Sequence, residues 1–353
     1  MKQKTPKLTF AKPAEPEFFS AFIQELLPEG QWEFVCYWLS ISLRSMLEGS
    51  FRPGQFVVFA GEHQCGKSLL QYIITEVLGG RAANPFEYLM GEEKFNKDLV
   101  GSEHWLIEDP RGSIDMRTRR DFGARLKEAT VNRDIRIRAM NKDGVLVKLF
   151  RRITISVNLE LEYLSVLPPF DPSINDKAFL FLCSTVKEAF KPFRIGGDLS
   201  REKIWSKVMS EIPMIRAWLL TEFATRKIPA SMRDDRFGIK AWHHPQLIAE
   251  LTSLSHESRL LELIDEMEFP KFDKDGNHQT YGTVDSIKDI VASDVQKRLL
   301  EHSRFEAEKI LKYSGACGSH LGKLAKMMPD RISKKVNTGK TFWTINPPAQ
   351  EKE

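Results

Sequence analysis

Hydrophobic and polar positions run through this chain with two periods, and the period switches often. "FFSAFIQELL" and "WEFVCYWLSISLRSMLEG" repeat apolar residues at helical spacing and stop at Gly49. "FRPG" turns the chain into the apolar strand "QFVVFA", and a Gly-rich loop leads into the helix "KSLLQYIITEVL". Residues 80–103 are polar and mixed, predicting a loop with a short helix. "HWLIED" is a short apolar strand ending in two acids, and "DMRTRRDFGARLKEAT" is helical in composition. "DIRIRAM" and "VLVKLF" alternate as strands on either side of "NKDG", a hairpin-turn signal. "RITISVN" and "AFLFLC" are two further strands. Strands interleaved with helices predict an α/β core.

Beyond residue 198 the pattern is helical: "SREKIWSKVMSEI", "PMIRAWLLTEFATRK", "HPQLIAELTSL" and "SRLLELIDEM". The polar, Gly-containing "FDKDGNHQTYGT" reads as a boundary or linker. Two or three short helices follow, then "RISKKVNTGKTFWTI", two strand-like pieces around "NTGK". Short helices followed by a hairpin is the order of a winged helix. The expected division is an arm and helical collar at 1–50, an α/β core at 51–197, a helical region at 198–270 and a winged-helix-like domain at 284–346.

Composition narrows the class only slightly. With 353 residues, 42% hydrophobic and 28% charged, the chain is ordinary for a soluble protein of about two domains. No apolar stretch approaches the roughly 20 residues of a membrane span, and the charged, proline-bearing N-terminus lacks a signal-peptide core. Cys36, Cys65, Cys183 and Cys317 are widely spaced, which fits free thiols in the cytoplasm of a bacterial host and excludes a disulfide framework or a zinc site. The net charge of +4 says little, but its distribution says more. Residues 111–152 hold thirteen Lys and Arg, and a second basic zone runs from Lys309 to Lys340 with Asp330 its one acid. Two such zones read as an electrostatic footprint for nucleic acid or, more plainly, as solvated helix faces.

The chemistry concentrates at residues 61–68, "GEHQCGKS", in the pattern G-x-x-x-x-G-K-S between strand and helix. Backbone N–H groups of Gly61, Glu62, His63, Gln64, Cys65 and Gly66, with the helix N-terminus at Lys67, make a cradle for phosphate. Lys67 would reach the β- and γ-phosphates of ATP, and the Ser68 hydroxyl would ligate Mg²⁺. Glu108 and Asp109 end the next apolar strand, "WLIED". One carboxylate would hold Mg²⁺ there while the other orients the attacking water. Asn158, closing "RITISVN", would position that water and sense the γ-phosphate; alone it reads as a turn former.

In order and spacing, "GEHQCGKS", "WLIED" and "ITISVN" resemble the motifs of superfamily 3 helicases, found in small DNA viruses, phages and mobile elements. The resemblance covers roughly residues 50–195, with looser likeness to phage and plasmid primase–helicases on either side. It implies an AAA+-like P-loop core, ATP and Mg²⁺, and a homo-hexameric ring moving on single-stranded or forked DNA. It also implies a hairpin gripping the DNA, here with Lys142 at its tip and Arg138 and Lys148 on its strands. The family's trans-acting arginine has two candidates here, Lys177 and Arg194, since these are the first lysine and first arginine after Asn158. No polymerase-like site precedes residue 50, so a primase would be a separate protein, as would host replication partners.

Other features carry less. His243 and His244 in "AWHHPQ" read as packing or capping residues before Pro245, and "DDRFG" as a surface turn or a subunit contact. Cys65 faces the phosphates in this reading but has no base partner for nucleophilic work. Trp32, Phe34, Tyr37 and Trp38 read as core or subunit packing. In the tail, Lys323, Lys326, Lys334 and Lys335 are the expected DNA contacts of a recognition helix and wing. The alternative to a helicase is a replication initiator whose assembly ATP controls; an NTPase for packaging or defence signalling is a further one.

Overall fold

The structure, a computed structural model, describes residues 6–49, 52–110, 116–138, 143–195, 197–269 and 286–347. The chain divides into two compact units between Leu251 and Thr252. That division falls inside the 198–270 stretch expected to be one helical region.

Two helices, α1 (Glu17–Leu26) and α2 (Gln31–Glu48), open the first unit. Gly49 ends α2 at φ +61°, a left-handed cap that glycine adopts without strain. Then come β1 (Phe56–Gly61), α3 (Lys67–Val77), β2 (Ala82–Ala83), α4 (Phe86–Met90), β3 (His104–Glu108) and α5 (Met116–Val131). A two-stranded ribbon, β4 (Asp134–Ile137) and β5 (Val145–Lys148), precedes β6 (Arg152–Val157), α6 (Leu161–Leu164) and β7 (Ala178–Cys183). The sheet order is β2-β3-β6-β1-β7, and every neighbouring pair is parallel. Both β1 and β6 are buried along their whole length, as apolar runs in the middle of a parallel sheet must be. A parallel sheet places all its strand C-termini on one edge, and the loops from Gly61, Glu108 and Val157 leave from that edge.

The N-terminal helices are part of this unit's core. Phe19, Phe22, Ile23 and Leu26 are fully buried in one cluster with Phe59, Phe179 and Phe181 of the sheet. Tyr37 and Trp38 are buried there too, with Trp32 and Phe34 packed against it. Gln31 bonds the edge of β7 as a strand would, its Nε2 donating to the Leu182 carbonyl at 3.1 Å and its Oε1 accepting from Leu182 N at 2.9 Å. His243 lies along the same edge, its Nε2 donating to the carbonyls of Asn175 and Ala178 at 3.0 and 2.9 Å, in a packing role.

Beyond β7, the ribbon β8 (Arg194–Ile195) and β9 (Asp198–Leu199) leads into α7 (Arg201–Glu222). The sequence predicts two helices split at Pro213, but α7 runs straight through it. Proline removes the hydrogen bond to the carbonyl four residues earlier, on half-exposed Met209, where water can take its place. On the buried side Glu211 caps α1, accepting from Phe18 N and Phe19 N at 3.1 and 3.0 Å. Arg216 caps the far end of α3, donating to the Glu76 and Val77 carbonyls at 2.6 and 3.1 Å. The ribbon β10 (Arg233–Asp234) and β11 (Gly238–Ile239) follows, then α8 (Pro245–Ser253). "DDRFG" forms the turn between those strands.

The second unit contains α9 (His256–Glu268), β12 (Ile287–Ile290), α10 (Ala292–His302), α11 (Arg304–Ile310), α12 (Ala316–Met327), β13 (Ile332–Asn337) and β14 (Lys340–Ile345). Its sheet is antiparallel in the order β12-β14-β13. The sequence reading missed β12, whose half-exposed "IKDI" is too short to show alternation. Leu260, Ile264, Leu299, Leu321, Trp343 and Ile345 form a core of this unit's own.

Candidate functional site

The site forms where β1, β3 and β6 end side by side. The loop after β1 bends through Gln64 at φ +60° and Gly66 at φ +122°, and α3 starts at Lys67. A side chain at Gly66 would be strained and would meet Phe22 of α1 at 3.2 Å, so glycine is needed there. Lys67 is 6% exposed. Its ammonium donates to the carbonyls of Gly61 at 2.8 Å and Glu62 at 2.7 Å, and to Asn158 Oδ1 at 3.0 Å. The phosphate-loop lysine and the strand-end asparagine therefore touch directly. These three acceptors are neutral and the Cys65 sulfur lies farther off at 3.9 Å, so the nearest shell of the buried charge is dipolar, an environment that favours an anion.

Glu108 and Asp109 stand beside this loop. Glu108 pairs in register with Ser156 of β6, and its carboxylate accepts a hydrogen bond from Tyr72 OH at 3.0 Å. Burial, and then the bond to Glu108, raises the Tyr72 hydroxyl above its ordinary pKa. Tyr72 escaped the sequence reading, yet it lies four residues after Ser68 and so on the same face of α3. Exposed Asp109 adopts φ +37°, with its N–H donating to the Ser156 carbonyl at 3.2 Å, a strained backbone of the kind that clusters at functional sites. The Ser156 hydroxyl is buried without a hydrogen-bond partner at this same edge. Among the described residues, a buried ammonium, an α-helix N-terminus bearing Ser68 and two adjacent carboxylates suit a phosphate chain with a divalent cation. His63 is exposed in the loop, whereas Cys65 is fully buried and packs away from solvent against Cys183.

A buried polar chain supports the loop from beneath. Gln71 donates to Thr154 Oγ1 at 2.8 Å, and His104 bridges Thr154 Oγ1 at 2.8 Å and Thr75 Oγ1 at 2.7 Å. Thr75 also donates to the Gln71 carbonyl at 3.1 Å. All these bonds are satisfied when His104 is neutral with its proton on Nδ1. Burial pushes the pKa of His104 down to about 3, so it stays neutral.

The β4–β5 ribbon is positioned from both sides. Buried Asn96 acts as a short strand: Nδ2 donates to the Arg136 carbonyl at 3.1 Å, Oδ1 accepts from Arg138 N at 2.8 Å, and Asn96 N donates to the Arg138 carbonyl at 3.2 Å. On the other side Arg151 gives its guanidinium to the carbonyls of Ala129 and Asn132, each at 2.6 Å, and lies 5.4 Å over the Trp105 ring of β3. Ile135, Ile137 and Val147 are buried, while Arg136, Arg138 and Lys148 are exposed, with Lys148 paired across the ribbon to Asp134. Lys142 lies outside the described residues.

The basic stretch is less free than its composition implies. Arg119, Arg151 and Arg152 are buried, and burial lowers their pKa values to about 10, about 10 and about 9. Arg119 donates to the Leu167 carbonyl at 2.8 Å and Arg152 to Ser42 Oγ at 2.9 Å, so both are structural cations. Lys177 precedes β7 and is paired to Asp176. Arg194 is exposed on β8, its guanidinium donating to the Gly197 carbonyl at 3.0 Å. In the second unit Lys334 and Lys335 are exposed on β13, whereas Lys323 is tied to Glu257 at 2.5 Å with His320 at 2.9 Å. Burial opposes the Glu257 charge, but the hydrogen bonds from His320 and Lys323 outweigh it and hold the carboxyl well below its ordinary range.

No protein-family profile matches the chain, and no curated protein sequence does. Solved structures do. The apo structure of the NrS-1 C-terminal region aligns at TM-score 0.55 with 14% identity, covering 99% of this chain and 79% of that one. Its A form aligns equally well. This likeness shows a shared fold over nearly the whole chain. A JCV helicase bound to an acetamide compound aligns at TM-score 0.33 with 11% identity, over 71% of this chain and 63% of that one, too loosely to carry an argument. No described helix is long and apolar enough to cross a membrane.

Proposed function

We propose that this chain is an ATP-hydrolysing DNA helicase of the superfamily 3 type, a ring of copies that moves on single-stranded DNA during replication of a phage, satellite or plasmid-like element. The observation that carries the reading is Lys67, buried among neutral acceptors on the same sheet edge where β3 ends in Glu108 and Asp109. In this account the phosphates of ATP displace the Lys67 contacts to the Gly61 and Glu62 carbonyls. They also loosen its bond to Asn158, which thereby reports whether a γ-phosphate is present. Ser68, Glu108 and Asp109 would hold Mg²⁺, which neutralises phosphate charge when bound. With Tyr72 fixing Glu108, exposed Asp109 is the carboxylate free to turn toward the attacking water.

The ribbon with Arg136, Arg138 and Lys148, together with Lys142 of the segment joining its strands in sequence, contacts the DNA backbone. Such contacts are salt-sensitive and indifferent to sequence. Exposed Arg194, flanked by exposed Ile195 and Leu199, suits a subunit contact that delivers a guanidinium to a neighbouring copy's phosphates better than Lys177, which Asp176 already holds. The second unit is read as a winged helix, supported by its short helices and β12-β14-β13 sheet. Its independent core and exposed Lys334 and Lys335 favour the initiator alternative, in which this unit supplies the main activity. ATP hydrolysis with and without single-stranded DNA, for the intact chain and for Lys142→Ala, separates the two. A motor shows DNA-stimulated hydrolysis that Lys142→Ala removes. Hydrolysis indifferent to both DNA and Lys142 selects the initiator.

A further inference from the structure

Gly61 ends β1 in register with Cys183 at the end of β7. The phosphate loop leaves from Gly61 and curls back so that Cys65 lies over the same spot. A Cβ at Gly61 would sit 3.0 Å from Cys65 Sγ and 2.8 Å from Cys183 Cβ, so the missing side chain is what lets the two cysteines meet. The Lys67 ammonium is 3.9 Å from Cys65 Sγ. The two thiols are chemically unequal. A hydrogen bond from Cys183 outweighs burial and, with the Lys67 charge, brings Cys65 down to about 6. Burial pushes Cys183 well above its usual range. Such asymmetry separates an attacking thiolate from a resolving thiol.

We propose that Cys65 and Cys183 form an oxidation site that takes a hydroperoxide and closes into a disulfide across the phosphate loop, locking it against nucleotide. The Cys65 thiolate attacks the near oxygen of the peroxide and the O–O bond breaks. This gives the Cys65 sulfenic acid and, with one proton, an alcohol or water. The Cys183 sulfur then attacks the Cys65 sulfur, expelling water and leaving the disulfide; the peroxide is the two-electron oxidant throughout. Because both thiols are buried, the reaction requires the loop to open, so MgATP, by ordering the loop, slows it. The locking consequence rests on the nucleotide reading above, whereas the thiol chemistry does not.

The test uses the intact chain, hydrogen peroxide with and without MgATP, alkylation of remaining thiols and peptide mapping. The expected result is a Cys65–Cys183 linked peptide, reversed by dithiothreitol, while Cys36 and Cys317 stay alkylatable. In the linked protein, ATP affinity falls by about tenfold or more, the loss of one charge-assisted contact. Cys183→Ser binds ATP normally and stops at a sulfenic acid on Cys65 that a dimedone-type reagent traps. Linkage no faster than loss of Cys36 or Cys317, or a linked protein with unchanged ATP affinity, overturns the proposal. A chain that forms the linked peptide but never binds ATP retains the oxidation site and sinks the nucleotide reading, so the two failures are distinguishable.

Discussion

Lys67 and the lysines of the C-terminal unit hold their charge in opposite ways. Lys67 is buried, with its ammonium surrounded by two carbonyls and an amide oxygen. Lys334 and Lys335 stand in solvent, and Lys323, though paired with Glu257, keeps half of its side chain exposed. A surface cation costs little and so says little about purpose. A buried cation whose nearest partners are neutral dipoles is destabilising unless the fold supports it, and here the carbonyls of Gly61 and Glu62 at the end of β1 and the amide of Asn158 after β6 supply that support. The local environment of a cation is therefore a better guide to function than the number of cations, as the buried Arg119, Arg151 and Arg152 also show.

The largest expected effect tests that contrast directly. Lys67→Ala lowers ATP hydrolysis by roughly a hundredfold to a thousandfold, the usual scale for removing one transition-state donor, while its melting temperature stays level or rises because a buried charge has gone. A clear drop in melting temperature would make Lys67 structural. Next is Asn96→Ala, which leaves two backbone groups of the ribbon unpaired and costs about 1–3 kcal/mol locally. Amide exchange in 134–137 and 145–148 should rise and DNA stimulation of hydrolysis should fall, while hydrolysis without DNA stays within about twofold, on the ordinary scale of distant substitutions. Slow exchange in the variant would show that the ribbon does not depend on this brace. Lys334→Glu with Lys335→Glu should weaken duplex binding and flatten its salt dependence by about two phosphate contacts, without touching hydrolysis. An unchanged salt slope would remove β13 from the DNA interface.

Acid offers the finest comparison of the two units. His104 has a folded pKa lowered to about 3 from an ordinary 6.5. The unfolded chain binds the extra proton first, so the stability His104 contributes is complete above 6.5 and is lost as pH falls toward 3, by about 1.4 kcal/mol per pH unit. Glu257 is likewise lowered, from an ordinary 4.5, so its contribution to the second unit survives above that value and fades only below it. Hydrogen exchange followed from pH 7 to 4 should loosen the α3–β3–β6 region before the α9–α12 pair. The reverse order would contradict the neutral-histidine network.

Much of this fold is legible in the sequence because fully buried parallel strands must be unbroken apolar runs. "FVVFAG" and "RITISV" become two of the interior strands for that reason. The strand–loop–helix passage at 55–78 is legible because the glycines and the switch in period occur together. Tyr72 and Asn96 are not, since one hydroxyl or amide in a helix or loop looks like any other until its partner 36 or 40 residues away is placed. The role of α1 and α2 was hidden for a related reason: their amphipathic pattern announces a buried face but not what covers it. Composition likewise counts the arginines of 111–152 without revealing that Arg119, Arg151 and Arg152 face inward.

The central claim is that ATP turnover at Lys67 is coupled to movement of a DNA strand. Strand displacement on forked DNA, with ATP and Mg²⁺ and forks of either polarity, tests it most directly. The expected result is displacement by the intact chain, none by Lys67→Ala, and loss of displacement with retained basal hydrolysis in Asn96→Ala. Vigorous hydrolysis by the intact chain without displacement on any fork would contradict it.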